Sequence, residues 1–471
     1  MGPSGDAIVI GSGPNGLSAA IVLAQAGRRV TVFEAEDTIG GGVRSAALTL
    51  PGFLHDVCSA VYPMAAASPF FRTLPLASHG LEWIEPDVML AHPFDDGTAA
   101  VLFRSLDRTV SALGRDGRAY RSLLGFVADE WSRLERSVLA PPSWPRHPFV
   151  LARFGAHALR SAEAVARSAF IDDRTRALFA GIAAHGMLPL DRSPSAAFGL
   201  VLGALAHVFG WLLPRGGAQS LADSLAAHLC ALGGQVVTGT RIHSLDELPP
   251  ARAVLCDLTP RPFLALAGHR LPEGYRRRLQ RYRYGPGTFK VDWALDGPIP
   301  WRAAECGLAG TVHLGATMGE IAQSEHDAWH GTPTARPFVL LAQPTLFDRS
   351  RAPGGKHIVW AYCHVPHASS TNMLSRIEDQ IERFAPGFRD RILARVVSGP
   401  ADLERRNANL VGGDIGAGVN DLGHLVARSL WLRYATPIRG VYLCSASTPP
   451  GVSVHGMCGY FAAHRALAEP V

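Results

Sequence analysis

Apolar residues open the chain in a short unbroken run, Ala7-Ile-Val-Ile10, which passes directly into Gly11-Ser-Gly13-Pro-Asn-Gly16. β-branched residues without polar alternation fit a strand buried on both faces of a parallel sheet. From Leu17 the apolar positions take helical spacing (Leu17, Ala20, Ile21, Leu23, Ala24), and Gly27 closes that helix. Arg29-Val-Thr-Val-Phe33 predicts a second strand ending at Glu34, so the opening is a βαβ unit. Residues 76–213 read as mostly helical, punctuated by Pro141-Pro-Ser-Trp-Pro145. At the end of that region, Ser195 to Pro214 is one segment that contains the almost continuously apolar run Phe198 to Leu213. Its length is near the lower limit for a membrane span, and it carries His207 and glycines. It fits a buried core helix, a helix lining an apolar cavity, or a membrane-dipping surface.

The pattern then predicts a helix over Leu221 to Leu232, closed by Gly233-Gly234, and strands over Gln235 to Ile242 and Ala253 to Cys256. Thr288 to Leu295, Phe338 to Ala342 and His357 to Cys363 read as strands of a separate sheet. Met373 to Phe384 is an amphipathic helix. The chain closes with a strand over Gly440 to Cys444, a Gly/Pro turn, and a helix from about Gly456 to Leu467. The fold class is therefore α/β: a Rossmann-type domain with a mixed α+β second domain.

The chain has 471 residues, of which 47% are hydrophobic and 18% charged. That excludes a disordered chain and fits two or three domains. Net charge is 45 − 40 = +5, with no basic run, so nucleic acid is not an expected partner. The seven cysteines are widely spaced, odd in number and free of CxxC, which points to a reducing compartment and away from a zinc site. With no charged-then-apolar opening, the expected location is the cytoplasm, with peripheral membrane contact as a further possibility.

Gly11-x-Gly13-x-x-Gly16, between strand and helix, has the form of a dinucleotide loop. The first glycine allows the turn, the second lets backbone approach a pyrophosphate, and the third lets helix and strand pack. Glu34, 18 residues beyond Gly16 at the end of the second strand, suits ribose hydroxyls. Ala35 to Gly40 leads into Gly41-Gly42-Val-Arg44, where a glycine run and a planar cation follow the acid. At the other end, Cys444-Ser-Ala-Ser-Thr448-Pro-Pro-Gly451-Val-Ser-Val-His455-Gly456-Met457 joins a strand to a helix start. Such a start can aim backbone donors at a flavin. Arg215-Gly-Gly-Ala-Gln-Ser220 is read as not following a strand, so no second nucleotide site is expected.

Together these segments resemble the phytoene desaturase-like group of FAD oxidoreductases, within the wider glutathione-reductase-type and amine-oxidase-like flavoproteins. More closely, the chain is similar to the branch labelled phytoene dehydrogenase-like or pyridine nucleotide-disulfide oxidoreductase domain-containing. Gly52-Phe-Leu-His-Asp-Val-Cys-Ser-Ala60, Phe289-Lys-Val-Asp-Trp-Ala-Leu-Asp-Gly-Pro298 and Trp360-Ala-Tyr-Cys-His-Val-Pro366 carry the likeness as well. The resemblance implies a discontinuous FAD domain (1–75, 213–280 and 408–471) and a substrate domain (76–212 and 281–407). It implies FAD contacts from Gly11, Gly13, Pro14, Asn15, Gly16, Glu34, Ala35, Gly41, Gly42 and Arg44. The backbone of Ile242 would meet adenine, and Ser445, Thr448, Val454, His455, Gly456 and Met457 would face the flavin side. Two departures stand out: Ser445-Ala446 replaces the Gly-Asp frequent in relatives, and Val452-Ser453 replaces a more glycine-rich turn.

The expected chemistry is dehydrogenation of a C–C bond in an apolar substrate, with electrons passed on to oxygen, a quinone or another acceptor. Three residues are catalytic candidates, each with a structural alternative. His455 is a flavin-facing residue or a turn residue. His55, followed by Asp56, is an active-site group or part of a packed loop. Lys290 shares a strand face with Asp292. It either holds a water at the flavin, as lysines do in amine-oxidase-like relatives, or sits in a salt-bridged surface strand. His357, His364 and His367 lack metal spacing, and no metal is expected. Rival functions are a polyene isomerase without net oxidation, an amine oxidase, and a non-catalytic FAD-binding partner protein.

Overall fold

The computed structural model describes residues 6–469. Its two main sheets are built from β1 (Ala7–Ile10), β2 (Val30–Phe33), β3 (Val88–Pro93), β4 (Ala99–Leu102), β5 (Gln235–Val237), β6 (Ala253–Cys256), β7 (Gly287–Leu295), β8 (Ala309–Leu314), β9 (Val339–Ala342), β10 (His357–Val365), β11 (Ile392–Ser398) and β12 (Val441–Leu443). The first sheet is wholly parallel, in the order β12-β6-β1-β2-β5. Helix α1 (Pro14–Gln25) crosses from β1 to β2, as short βα connections require. It packs against the last helix, α8 (Met457–Ala468), so the two ends of the chain meet.

The second sheet has the order β11-β7-β10-β9-β8-β3-β4 and is antiparallel except for the β8–β3 pair. Two of its strands lie inside the region that reads as helical. β3 is Val-Met-Leu-Ala-His-Pro, unalternating and rich in helix formers, so its pairing with β8 and β4 overrides local propensity. The strand expected over Gln235 to Ile242 stops at Val237, and Ile242 lies in a loop.

The two faces of this sheet differ sharply. One, carrying Val291, Trp293, Val312, Leu341 and Ala361, is apolar and packs on the amphipathic helix α6 (Leu374–Phe384). The other carries Thr288, Lys290, Asp292, Thr311, His313, Tyr362 and His364, all buried. It faces a helical layer that includes α3 (Asp173–Ala184) and α4 (Ser195–Val208). Helix α4 covers only the first part of the apolar run from Phe198. It is largely buried, and no described helix is long and apolar enough to cross a membrane.

Candidate active site

β1 ends at Ile10 and α1 begins at Pro14, so three residues must reverse the chain. Gly11 takes a φ of 98°, open to glycine and strained for other residues. A Cβ on Gly16 would lie 2.0 Å from the Gly11 carbonyl oxygen, which leaves glycine as the residue that fits there. Pro14 in the first turn has no N–H to leave unpaired. At the end of β2 the buried Glu34 accepts from the Ser12 N–H (2.9 Å) and hydroxyl (2.6 Å), and from the Glu36 N–H (3.0 Å). Arg44 is already engaged by protein groups: it donates to the carbonyls of Gly41 (3.2 Å) and Arg406 (2.6 Å).

These residues border a cavity of about 2150 Å³, well above the roughly 300–1,000 Å³ of ordinary ligand pockets. At one end its wall includes Gly11, Gly13, Pro14, Asn15, Glu34, Ala35, Gly41, Gly42, Arg44 and Ile242. The amide oxygen of Asn15 is buried without a partner beside it. A glycine turn, a helix N-terminus and a buried acid in this order fit the ADP half of FAD. Asp257, just after β6, also lines this end, and sequence reasoning missed it. Its Oδ2 accepts from the Gly16 N–H at 3.0 Å. Burial, reinforced by the nearby Glu34 and opposed by the Gly16 bond, pushes the Asp257 carboxyl up to about 7.

The C-terminal turn supplies the next part of the wall: Ser445, Ala446, Pro450 and Val452 to His455. Ser445 donates its hydroxyl to the Leu258 carbonyl (2.9 Å), which ties the turn to the loop after β6. Ser453 takes a φ of 113°, a conformation that carries strain in a residue with a Cβ. Thr448, Gly456 and Met457 do not reach the wall. The Thr448 hydroxyl bonds to the Ser445 carbonyl (2.8 Å). A Cβ on Gly456 would meet Ser18 Oγ at 2.2 Å, so this glycine lets α8 pack on α1. His455 borders the cavity, but its Nδ1 accepts from the Met457 N–H (3.0 Å) at the start of α8. Burial lowers this imidazole to about 4, and it is neutral.

Phe198, Val201, Leu202 and Trp211 and residues of the polar sheet face line the same cavity and together wall its chamber, with the Trp211 ring 6.2 Å from that of His313 on the sheet. Lys290 reaches this wall and is ion-paired with Asp292. Both are buried, so the pair lies on no surface strand. His55 stands behind Asp292, with its Nδ1 3.5 Å from Asp292 Oδ1 and its Nε2 2.8 Å from the Thr49 hydroxyl. It does not line the cavity. Asp56 is likewise structural, accepting from the Ala218 N–H (2.7 Å) and pairing with Arg351 (3.0 Å).

His185, which no motif marks, does line the chamber. Its Nε2 lies 3.0 Å from Nε2 of buried His313. Desolvation lowers His185 to about 3. His364 is held by Glu325 (2.7 Å) and His367 by the Gly285 carbonyl (2.9 Å). No group of residues suited to a metal ion occurs among the described residues.

The expectation that Arg215 follows no strand needs correcting. Leu213–Pro214 is a two-residue strand antiparallel to Trp83–Ile84. The loop still offers no phosphate site. The N–H groups of Gly216, Ala218 and Gln219 are taken by Asp348 (2.7 Å), Asp56 (2.7 Å) and Ser45 (3.1 Å).

Residues 15–265, more than half of the chain, match the family described as flavin containing amine oxidoreductase. The chain belongs to that family. As a flavin containing amine oxidoreductase it is an FAD-dependent oxidoreductase. It is similar, at 26% identity over 98% of this chain and 93% of the other, to pyridine nucleotide-disulfide oxidoreductase domain-containing protein 2 of Rattus norvegicus. It is 27% identical to phytoene dehydrogenase of Streptomyces griseus over 86% of this chain and 79% of that one. Among solved structures, an oxidoreductase from Methanosarcina mazei shares the fold with a TM-score of 0.66 at 18% identity, covering 98% of this chain and 100% of that one. Within this flavin containing amine oxidoreductase, the glycine turn near the N-terminus and the turn before α8 border the same cavity.

Proposed function

We propose that this FAD-dependent oxidoreductase dehydrogenates a C–C bond in an apolar substrate held in the chamber beyond the C-terminal turn. One observation carries the reading: the same cavity that takes in the glycine turn is walled by Phe198, Val201, Leu202, Trp211, Leu340 and Trp360, while its carboxylates are Glu34 and Asp257 at the glycine turn and Glu36 and Glu404, which pair with Arg241 and Arg261, so none stands among those six. A protonated amine would have no counter-charge there. Trp360 and Tyr362 pack edge to face on each other, with ring centroids 5.1 Å apart, and do not face across an open slot.

Gly11, Gly13, Pro14 and Asn15 would hold the pyrophosphate, with Gly16 setting the approach of α1. Glu34 and Ala35 would take the ribose, and Ile242 the adenine. Gly41, Gly42 and Arg44 would lie along the flavin-side phosphate, and Ser445, Val454 and His455 beside the flavin. When bound, the flavin supplies a hydride acceptor at N5. The chain's own part is to exclude water, orient the substrate, and hold a proton or a water at Lys290 Nζ. Asp292 fixes that ammonium, and His55 backs Asp292.

The parallel sheet draws all its strands from 1–75, 213–280 and 408–471, and the mixed sheet from 76–212 and 281–407. This supports the division into FAD and substrate domains. Peripheral membrane contact belongs to the same reading. Trp144 and Phe149 are 92% and 89% exposed beside Pro142, Pro148, Leu151 and Leu159 of the cavity rim. Residues 139–162 carry Arg146, Arg153 and Arg160 and no acid, a composition suited to an anionic bilayer surface.

The test is anaerobic titration of the purified holoenzyme with fractions of a lipid extract. Stoichiometric bleaching of the flavin, with a product two hydrogens lighter, is expected. A changed product at unchanged mass and a flavin that stays oxidised would mean isomerisation.

A further inference from the structure

The polar face of the mixed sheet is more than an all-carbon substrate requires. Thr288 and Lys290 on β7, Tyr362 on β10 and Thr311 on β8 all line the chamber. Register sets Lys290 beside Tyr362 and Thr288 beside His364. The hydroxyls of Thr288 and Thr311 have no hydrogen-bond partner, although both residues are more than nine-tenths buried. Nε2 of His364 and Nδ1 of His313, on the same sheet face, are also unpartnered, as are Oδ1 of Asp292 and Oε1 of Glu325, which lie off the cavity wall. His185 closes the row, joined to His313 at 3.0 Å. Buried polar groups are normally satisfied, and an orphan on a cavity wall is completed by a ligand, an ion or ordered water that a ligand can replace. The apolar reverse face of the same sheet shows that these strands pack without polar residues where nothing has to be recognised.

Charge narrows the ligand. Lys290, paired with Asp292 behind it, is the cation among the sheet-face residues that line the cavity, and none of the sheet-face residues that line it (Thr288, Lys290, Thr311, Leu340, Trp360 and Tyr362) is a carboxylate. Threonine, tyrosine and lysine all offer N–H or O–H donors. The hydroxyls can accept as well, but the lysine only donates, so the partner that suits all four is an oxygen that accepts hydrogen bonds. We propose that this sheet face recognises an oxygen-bearing head group, so that the substrate is an amphiphile with an apolar body and a carboxylate, carbonyl or hydroxyl at one end. The proposal rests on the apolar-substrate reading above and deepens it. The head group binds on Lys290, Tyr362 and the two threonines, and the apolar body lies along Phe198, Val201, Leu202 and Trp211.

Equilibrium binding to the holoenzyme tests this without turnover. Trp211 and Trp360 line the chamber, so protein fluorescence reports occupancy. The probes are hexadecanoic acid, 1-hexadecanol, hexadecylamine and hexadecane. The acid or the alcohol is expected to bind at least about tenfold more tightly than hexadecane. Thr288→Val, Thr311→Val and Tyr362→Phe should each weaken that probe about fivefold and leave hexadecane unchanged, as for a lost hydrogen bond. The two valine variants remove hydroxyls that bond to nothing in the free protein, so they should fold. Hexadecane binding as tightly as the acid and the alcohol would overturn the proposal and leave the apolar reading standing. Tighter binding of the amine, or no effect of the three substitutions, would overturn it too. If none of the four bound, the apolar reading would fall with it.

Discussion

Two residues at the dinucleotide end turn the site into measurable quantities. The contact of a Gly16 Cβ with the Gly11 carbonyl oxygen, at 2.0 Å, cannot be relieved by a side-chain rotation. Gly16→Ala should destabilise the protein by roughly 1–3 kcal/mol and lower its FAD content, read by thermal unfolding and absorbance. Asp257 should make FAD retention depend on pH. Its carboxyl is raised to about 7, so it is neutral below that pH and an added anion beside Glu34 and the phosphate site above it. FAD affinity is expected to fall between pH 6 and 8, and Asp257→Asn should flatten the profile. A wild-type affinity constant over that range would contradict this role. Glycine spacing made Gly11 to Gly16 legible in the sequence. Asp257 was not, because it reaches the loop from 241 positions away. His185 escaped for the same reason: its partner His313 is 128 positions distant.

At the scale of elements, the βαβ opening and the strand-turn-helix close could be read directly, since each has its own period and its own glycines. β3 and β4 could not. Val-Met-Leu-Ala-His-Pro carries no alternation, because one of its faces meets apolar packing and the other holds buried His92. For His55 the sequence leaves an active-site group and a packed loop residue both open. The segment near it does run beside the cavity, but its own side chain turns away to Asp292 and Thr49. The rim element around α2 (Pro148–Ala158) makes its own prediction. Trp144→Ser with Phe149→Ser should abolish most co-sedimentation with vesicles containing anionic lipid. Unfolding should shift by less than about 0.5 kcal/mol, as for exposed positions. Equal sedimentation of variant and wild type would remove the membrane contact from the account.

Across the whole molecule, buried neutral histidines set the response to acid. His92 and His455 are lowered to about 4 and His185 to about 3, in each case chiefly by desolvation. Their folded values lie below the ordinary 6.5, so the unfolded chain takes up protons first. The stability they contribute is complete above pH 6.5 and is lost as pH falls below it, by up to about 1.4 kcal/mol per pH unit for each fully buried histidine. Asp257, raised to about 7, acts in the opposite direction, but three histidines outweigh one carboxyl. The melting temperature is expected to fall steadily from pH 7 to pH 5. A flat profile would mean that these imidazoles are solvated.

The fold brings the first and last helices together so that two distant glycine-rich turns border one cavity, and FAD binding depends on that convergence. The most direct test is to denature the purified chain and identify what it releases. About one FAD per chain, with the yellow absorbance lost from the protein and recovered in the supernatant, is the predicted result. Protein that is colourless as isolated and stays so after incubation with FAD would contradict it.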